Sequence, residues 1–412
     1  MRAATRAIGL VLVLGMPAAC AAGPTSGPGG RVGSDAVVYL RQAQGMSAVK
    51  ADTGNVLFTT GPALAGQSWS ELVTIDTRAG EAELVRLDAR SGEPLSRIGL
   101  PSGLDVRLVS GSGRMVALTP GRADYDLHRP EPRARTTIAV TSIDGTDGLR
   151  HYRLRGNYEP EAFSYDDRWL FLIQYLPAID PNRYAVRLLH LDSGRVTGLG
   201  RLKQAAPAEM RGTGRRQSMA PDGTRLYTLY TRQPPNDAHG TPSLHSGRHP
   251  VYAFIHVLTL TGGTAHCIDL PAPFGSGRPE WNAIAVSPDG TRLVAAEWTS
   301  GTVAVLDSSS FRVLGTKQLE LASPGSNRPV AGVGDDGTIY LGAGREVVAL
   351  DGESLEVIRR VRLSNEISSL DVEEGLLFVG QRDEVVLIDP LTGTPVDRFA
   401  VPGLESIAHV KD

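Results

Sequence analysis

A two-hairpin unit recurs along most of this 412-residue chain and constrains its fold more than any single residue does. The clearest copy reads IAVSPDGTRLVAAEW over residues 284–298 and TVAVLDSSSFRVLGTKQL over 302–319. Four apolar runs are separated by a Pro-Asp-Gly turn, a polar break and an Asp-led turn. The first hairpin, with its acidic-Gly turn, returns as SMAPDGTRLYTLY (218–230), GVGDDGTIYLG (332–342) and LDVEEGLLFVG (370–380). Weaker copies are VSGSGRMVAL (109–118) and FSYDDRWLFLI (163–173). Asp-Gly pairs suit tight hairpins because Gly accepts positive φ and Asp bonds its own backbone. The second hairpin ends its first strand in Leu/Ile-Asp, with turns at Asp88, Asp144, Asp192, Asp307, Asp351 and Asp389 and a divergent copy at Thr261.

Self-similarity at a period of tens of residues marks a repeat architecture. The seven turns lie 38 to 56 residues apart except for one step of 69, which contains an insertion. That period suits a four-stranded propeller blade of roughly 40–50 residues. In VAVLD and VVLID nearly every position is apolar, so both faces of these strands are buried, as in sheets stacked around a ring. Gly and Pro, 47 and 27 of them, punctuate too often for amphipathic helices between the strands. The expected fold is an all-β propeller, counted as seven four-stranded blades, with eight the alternative because residues up to about 100 hold two ambiguous strand-turn runs. VVYLRQ (37–42) and ESIAHV (405–410) read as terminal strands, one closing a blade built from the other end.

The first 20 residues read as an export signal. Arg2 and Arg6 precede the apolar run 7–16, too short to span a bilayer, and small residues lead to Cys20. This resembles a bacterial lipoprotein signal, which implies cleavage before Cys20 and its acylation; Pro17 stands where that pattern prefers Leu. Ordinary secretion is the alternative. Residues 21–35, rich in Gly, Pro and Ser, read as a flexible tether, and 36–412 as one propeller domain. The chain is thus expected on the outer face of the cell membrane, attached only through its lipid, or secreted. A formal net charge of −3 with no long single-sign run argues against nucleic acid as a partner. Cys267, the one other cysteine, reads as a buried packing residue.

The SPDGTRL…VxVLD units resemble YVTN-type repeats of seven-bladed propellers, related in pattern to WD40 and TolB-like propellers. The resemblance spans about residues 102–401 and is carried by turn and core residues. It implies the fold, and an exported bacterial binding or scaffold protein, less often an enzyme.

Propeller function sits on loops at one mouth of the central channel. Glu159, Glu161, Arg215, Arg216, Glu280, Trp281 and Asn282 stand at or just before the starts of inner strands, and Glu297 ends a neighbouring one. Together they form the expected ligand-binding mouth, for a protein, peptide or glycan. The repeated Asp turns read as scaffold, since each occupies the same place in its blade. An insertion at 233–252 carries Asp237, His239, His245 and His249, residue types that bind zinc or copper, but their spacing matches no strong metal motif, so a surface excursion is the expectation. No nucleophile elbow, P-loop or dinucleotide fingerprint occurs, and no cofactor is evident. A binding or scaffold role leads. A metal-dependent hydrolase or lactonase with mouth carboxylates, and a component of an envelope assembly or sensing complex, are the alternatives.

Overall fold

A computed structural model describes residues 35–78, 80–121, 131–199, 210, 213–231 and 252–411. These residues form eight four-stranded antiparallel sheets and no helix. The fold is a β-propeller with the larger of the two blade numbers the sequence admits. Blade 2 takes its strands from 63–100, blade 3 from 104–155, blade 4 from 157–198 and blade 5 from 213–269; blades 6, 7 and 8 take theirs from 282–318, 330–362 and 367–400. Blade 1 is composite. Its second, third and fourth strands are Val37–Gln42, Gly45–Lys50 and Val56–Thr60, and its inner strand is the C-terminal Leu404–Lys411. Val37 pairs with Lys411 and Gln42 with Leu404, so the two ends of the chain close the ring as the terminal runs suggest.

The count of seven overlooks blade 1, for two reasons. Its inner strand comes from the far end of the chain, so no acidic-Gly hairpin announces it. Its outer turn begins at Lys50, with Gly54 N–H bonded to Lys50 O, and carries no Leu-Asp signature. The same bond pattern corrects the alignment of the turns. Gly92 bonds back to Asp88, Gly194 to His190, Gly263 to Thr259, Leu355 to Asp351 and Gly393 to Asp389. Asp192 and Thr261 therefore stand two residues beyond the place that Asp88 holds, and Asp52 is their counterpart in blade 1.

Where Asp does begin the turn it caps backbone, as the scaffold reading requires. Asp307 Oδ1 accepts from the N–H groups of Ser309 (3.0 Å) and Ser310 (2.6 Å). Asp351 does the same for Glu353 and Ser354, and Asp88 for Arg90 and Ser91. Hydrogen bonds to the charged form hold these carboxyls below the usual range, led by the Ser310, Ser354 and Ser91 amides.

Burial follows position in the blade. Val303, Ala304, Val305 and Leu306 of a third strand are all at most 2% exposed, because neighbouring blades cover both sheet faces. The fourth strands alternate or are open, as in Arg312–Gln318 and Pro395–Ala400. Fourth strands also touch the outer turn of the next blade. Tyr152 OH donates to Leu191 O (2.5 Å), His266 stacks on Phe311 (4.6 Å between centroids), and Arg359 Nη1 donates to Thr392 O (2.7 Å).

Candidate functional site at the mouth of the channel

Inner strands of the eight blades run side by side around the channel, starting at one face (the mouth) and ending in their hairpin turns at the other. Successive side chains of a strand point to opposite faces, so adjacent residues of an inner strand address the two neighbouring blades. Arg215 and Arg216, in the inner strand Thr213–Met219 of blade 5, show this directly. Arg215 reaches back to blade 4. Its Nη2 donates to both carboxylate oxygens of Glu161 (2.9 and 2.7 Å) and its Nη1 to Tyr175 OH (3.0 Å). The Arg215 and Glu161 side chains are 4% and 6% exposed, so the charges are exchanged out of water. Gln217 adds a further hydrogen bond to Glu161.

Arg216 reaches forward to blade 6. Its Nε donates to Asn282 O (2.9 Å) and its Nη2 to Glu280 O (2.8 Å). Burial, helped by the charge of Arg328 at the start of blade 7, pushes its pKa down to about 10, against the pull of Glu280. Asn282 in turn donates from Nδ2 to the carbonyls of Arg278 (3.1 Å) and Pro279 (3.0 Å), which folds the chain before the strand into a fixed loop. Asn157, first residue of blade 4's inner strand, does the equivalent work on Glu131 O (2.7 Å) and Ala178 O (3.3 Å). On that loop the Arg278 guanidinium lies 4.6 Å from the centroid of the Trp281 ring.

Glu159 pairs with Arg107 of blade 3's inner strand and lies 3.5 Å from Arg133 Nη1. Glu297 is fully buried and accepts from Ser300 Oγ (2.7 Å). Its Oε1 sits over Gly277, where a Cβ would approach to 1.9 Å. Every expected mouth residue thus falls at this end of the ring. Glu159, Glu161, Arg215 and Arg216 form a chain of contacts from blade 3 to blade 6; Asn282 and Glu297 brace the loop that carries Trp281. Arg107, Arg133, Tyr175, Gln217 and Arg328 also belong to it, and none carries a sequence signal of its own.

Among the described residues no three His, Cys, Asp or Glu side chains are placed to hold a metal. Asp237, His239, His245 and His249 lie outside the described residues, as do Cys20 and the tether. Cys267 packs beside a core that contains Tyr184 and Tyr230, and burial, with Asp269 second, raises its thiol well above the usual value. His256 is 2% exposed and meets the Tyr230 ring edge-on.

No protein-family model matches the chain, and no curated protein matches it either. Solved structures do. Apo AztD from Citrobacter koseri superposes with a TM-score of 0.57 at 11% identity, over 91% of this chain and 96% of that one. A second crystal structure of Citrobacter koseri AztD gives 0.54 at 11% identity, over 90% and 95%. BamB from Moraxella catarrhalis is similar at a TM-score of 0.43 and 16% identity, over 87% and 96%. The AztD likeness is one of fold alone: a β-propeller. The YVTN and WD40 affiliation that the turn motifs imply has no matching family model behind it.

Proposed function

We propose that this chain is a binding propeller of the cell envelope, which holds a protein, peptide or glycan partner against the mouth of its channel. The observation that carries the reading is the contrast between the two parts of the mouth. Glu159, Glu161, Arg107, Arg133, Arg215 and Arg216 are engaged in contacts between blades, which makes a braced rim. On the loop before blade 6 Trp281, half-buried against the core there, stands with the exposed Arg278, and the exposed Arg328 is nearby. Trp and Arg on a preorganised support are the residue types that dominate binding energy at interfaces, and a ring face also suits a sugar. The export signal and Cys20 of the sequence support an envelope address.

The test is cross-linking capture from envelope extracts with the wild type and with Trp281→Ala, each checked for an unchanged melting temperature. Loss of the captured species with Trp281→Ala is expected. Equal capture by the two proteins would remove the mouth from the interface.

A further inference from the structure

The face opposite the mouth carries a second feature, at the joints between blades. In blades 4, 5 and 6 the first residue of the second strand lies beneath the outer turn of the next blade, whereas blades 1, 7 and 8 begin that strand with the apolar Val37, Ile339 and Leu376. In blade 6 it is Arg292. Its Nη1 donates to Gly352 O of blade 7 (3.4 Å) and its Nη2 lies 3.8 Å from the Glu353 carboxylate. In blade 5 it is Arg225, whose Nη1 donates to Ser308 O of blade 6 (3.0 Å) and whose guanidinium lies 5.6 Å from the Phe311 ring centroid. In blade 4 it is Trp169, packed so close to Gly263 of blade 5 that a Cβ there would meet the indole at 2.8 Å. Long side chains at this position bridge blades 4, 5 and 6 each to the blade that follows.

Blades 2 and 3 have Glu71 and Met115 there. Glu71 turns to Arg86 of its own blade, at 3.8 Å, and Met115 offers no polar group. Between blades 2, 3 and 4 a cleft of about 570 Å³ opens, lined by both residues and by the outer turns of blades 3 and 4. That is the size of a pocket for a small ligand or a side chain with its flanking backbone. The turn of blade 3 presents the same acceptor that the bridging arginines use elsewhere. Ile143 O, one residue into the turn like Ser308 O and Gly352 O, accepts only a long bond from Ser96 Oγ (3.4 Å) among the described residues.

Charge in the cleft favours a cation. Its four arginines each have an acid: Arg86 has Glu71, Arg114 has Asp167 (3.1 Å), Arg150 has Asp192 (3.2 Å) and Arg168 has Asp166 (4.0 Å). Asp144 and Asp147, on the blade 3 turn, have no ion-pair partner among the described residues. The amide and hydroxyl of Thr146 hold the Asp144 carboxyl down to about 2, so it is charged at any ordinary pH.

We propose that this cleft takes the guanidinium group of an arginine side chain from a protein or peptide partner, in the place that Arg225 and Arg292 fill in blades 5 and 6. A planar guanidinium can donate at once to a carbonyl and to a carboxylate, which is what Ile143 O and the two aspartates offer. The site is separate from the mouth and does not depend on the function proposed there.

The test titrates the purified chain with the peptide acetyl-Gly-Arg-Gly-amide and with its citrulline counterpart, isosteric but uncharged, by calorimetry. Saturable binding of the arginine peptide is expected, weakened about tenfold or more, some 1.4 kcal/mol, for citrulline and for Asp147→Asn. Asp147 is exposed, so that variant folds as the wild type does. Glu71→Arg supplies the bridge internally; it should abolish binding and raise the melting temperature. Absence of saturable binding up to the solubility of the peptide, equal binding of citrulline, or full binding to Glu71→Arg would each overturn the proposal.

Discussion

At the scale of single residues, the mouth is a set of charges that tolerate no vacancy. Arg215 and Glu161 are both taken out of water and satisfy each other, with Tyr175 and Gln217 completing the bonds. Removing one partner leaves a buried charge alone, which costs about 3–5 kcal/mol, whereas removing both costs far less. Arg215→Met is expected to lose stability of that order in urea unfolding, and Arg215→Met with Glu161→Gln to regain most of it. A second pair sits at the closure of the ring. His409 Nδ1 lies 3.8 Å from Asp371 Oδ2, and the imidazole stacks on Trp69 (4.9 Å). Burial raises the Asp371 carboxyl from 3.8 to about 6, against the Val410 and Val372 amides, and lowers His409 from 6.5 to about 4, with Lys411 adding to it. The two act in opposite senses. Asp371 gives stability that is present below pH 4 and lost as pH rises through 6; His409 gives stability that is present above 6.5 and lost as pH falls through 4. The wild type should therefore melt at nearly the same temperature from pH 4 to 6.5. Asp371→Asn should lose stability on acidification across that window, and His409→Asn should gain it. A steep wild-type profile would show that the two groups do not offset each other.

At the scale of strands and turns, much was legible in the sequence. Apolar runs such as VAVLD declare strands buried on both faces, and Pro-Asp-Gly declares the hairpin between the first and second strands. The turns misled in a definite way: Asp192 and Asp144 resemble Asp88 in their neighbours, yet backbone bonding places His190 and Ser142 at the start of those turns. A Leu-Asp pair records a preference for capping, not a register. The closing strand and its joining to the other end of the chain were legible, but its register, with Val37 opposite Lys411, is encoded by no local pattern. The mouth network was hidden for the same reason. Arg107, Glu159 and Arg133 meet only because consecutive blades stand side by side. Deleting residues 404–411 removes the inner strand of blade 1 and exposes the edge of Val37–Gln42. Such a chain is expected to lose its single cooperative unfolding transition, followed by circular dichroism, and to aggregate. An unchanged transition would mean that the ring is stable open.

At the scale of the whole molecule, eight blades form one ring with a charged, braced mouth at one end and, at the other, a cleft between blades 2, 3 and 4. The address of the ring is testable by one substitution. Cys20→Ser should move the protein from the membrane fraction to the medium; wild-type protein already in the medium would mean secretion without a lipid.

Closure by the two chain ends also gives the propeller a direction. Val37 begins its strand beside Lys411, whose Nζ donates to Ser68 O (2.6 Å) at the rim of the cleft. The chain therefore joins the ring on the face that bears the cleft. For the anchored protein proposed here, the stretch from Cys20 to Val37 could reach at most about 60 Å. The attachment point would lie on the cleft face, leaving the mouth clear of the tether. A partner could then reach the mouth without passing the tether, whereas an arginine entering the cleft would approach on the side to which the lipid is tied.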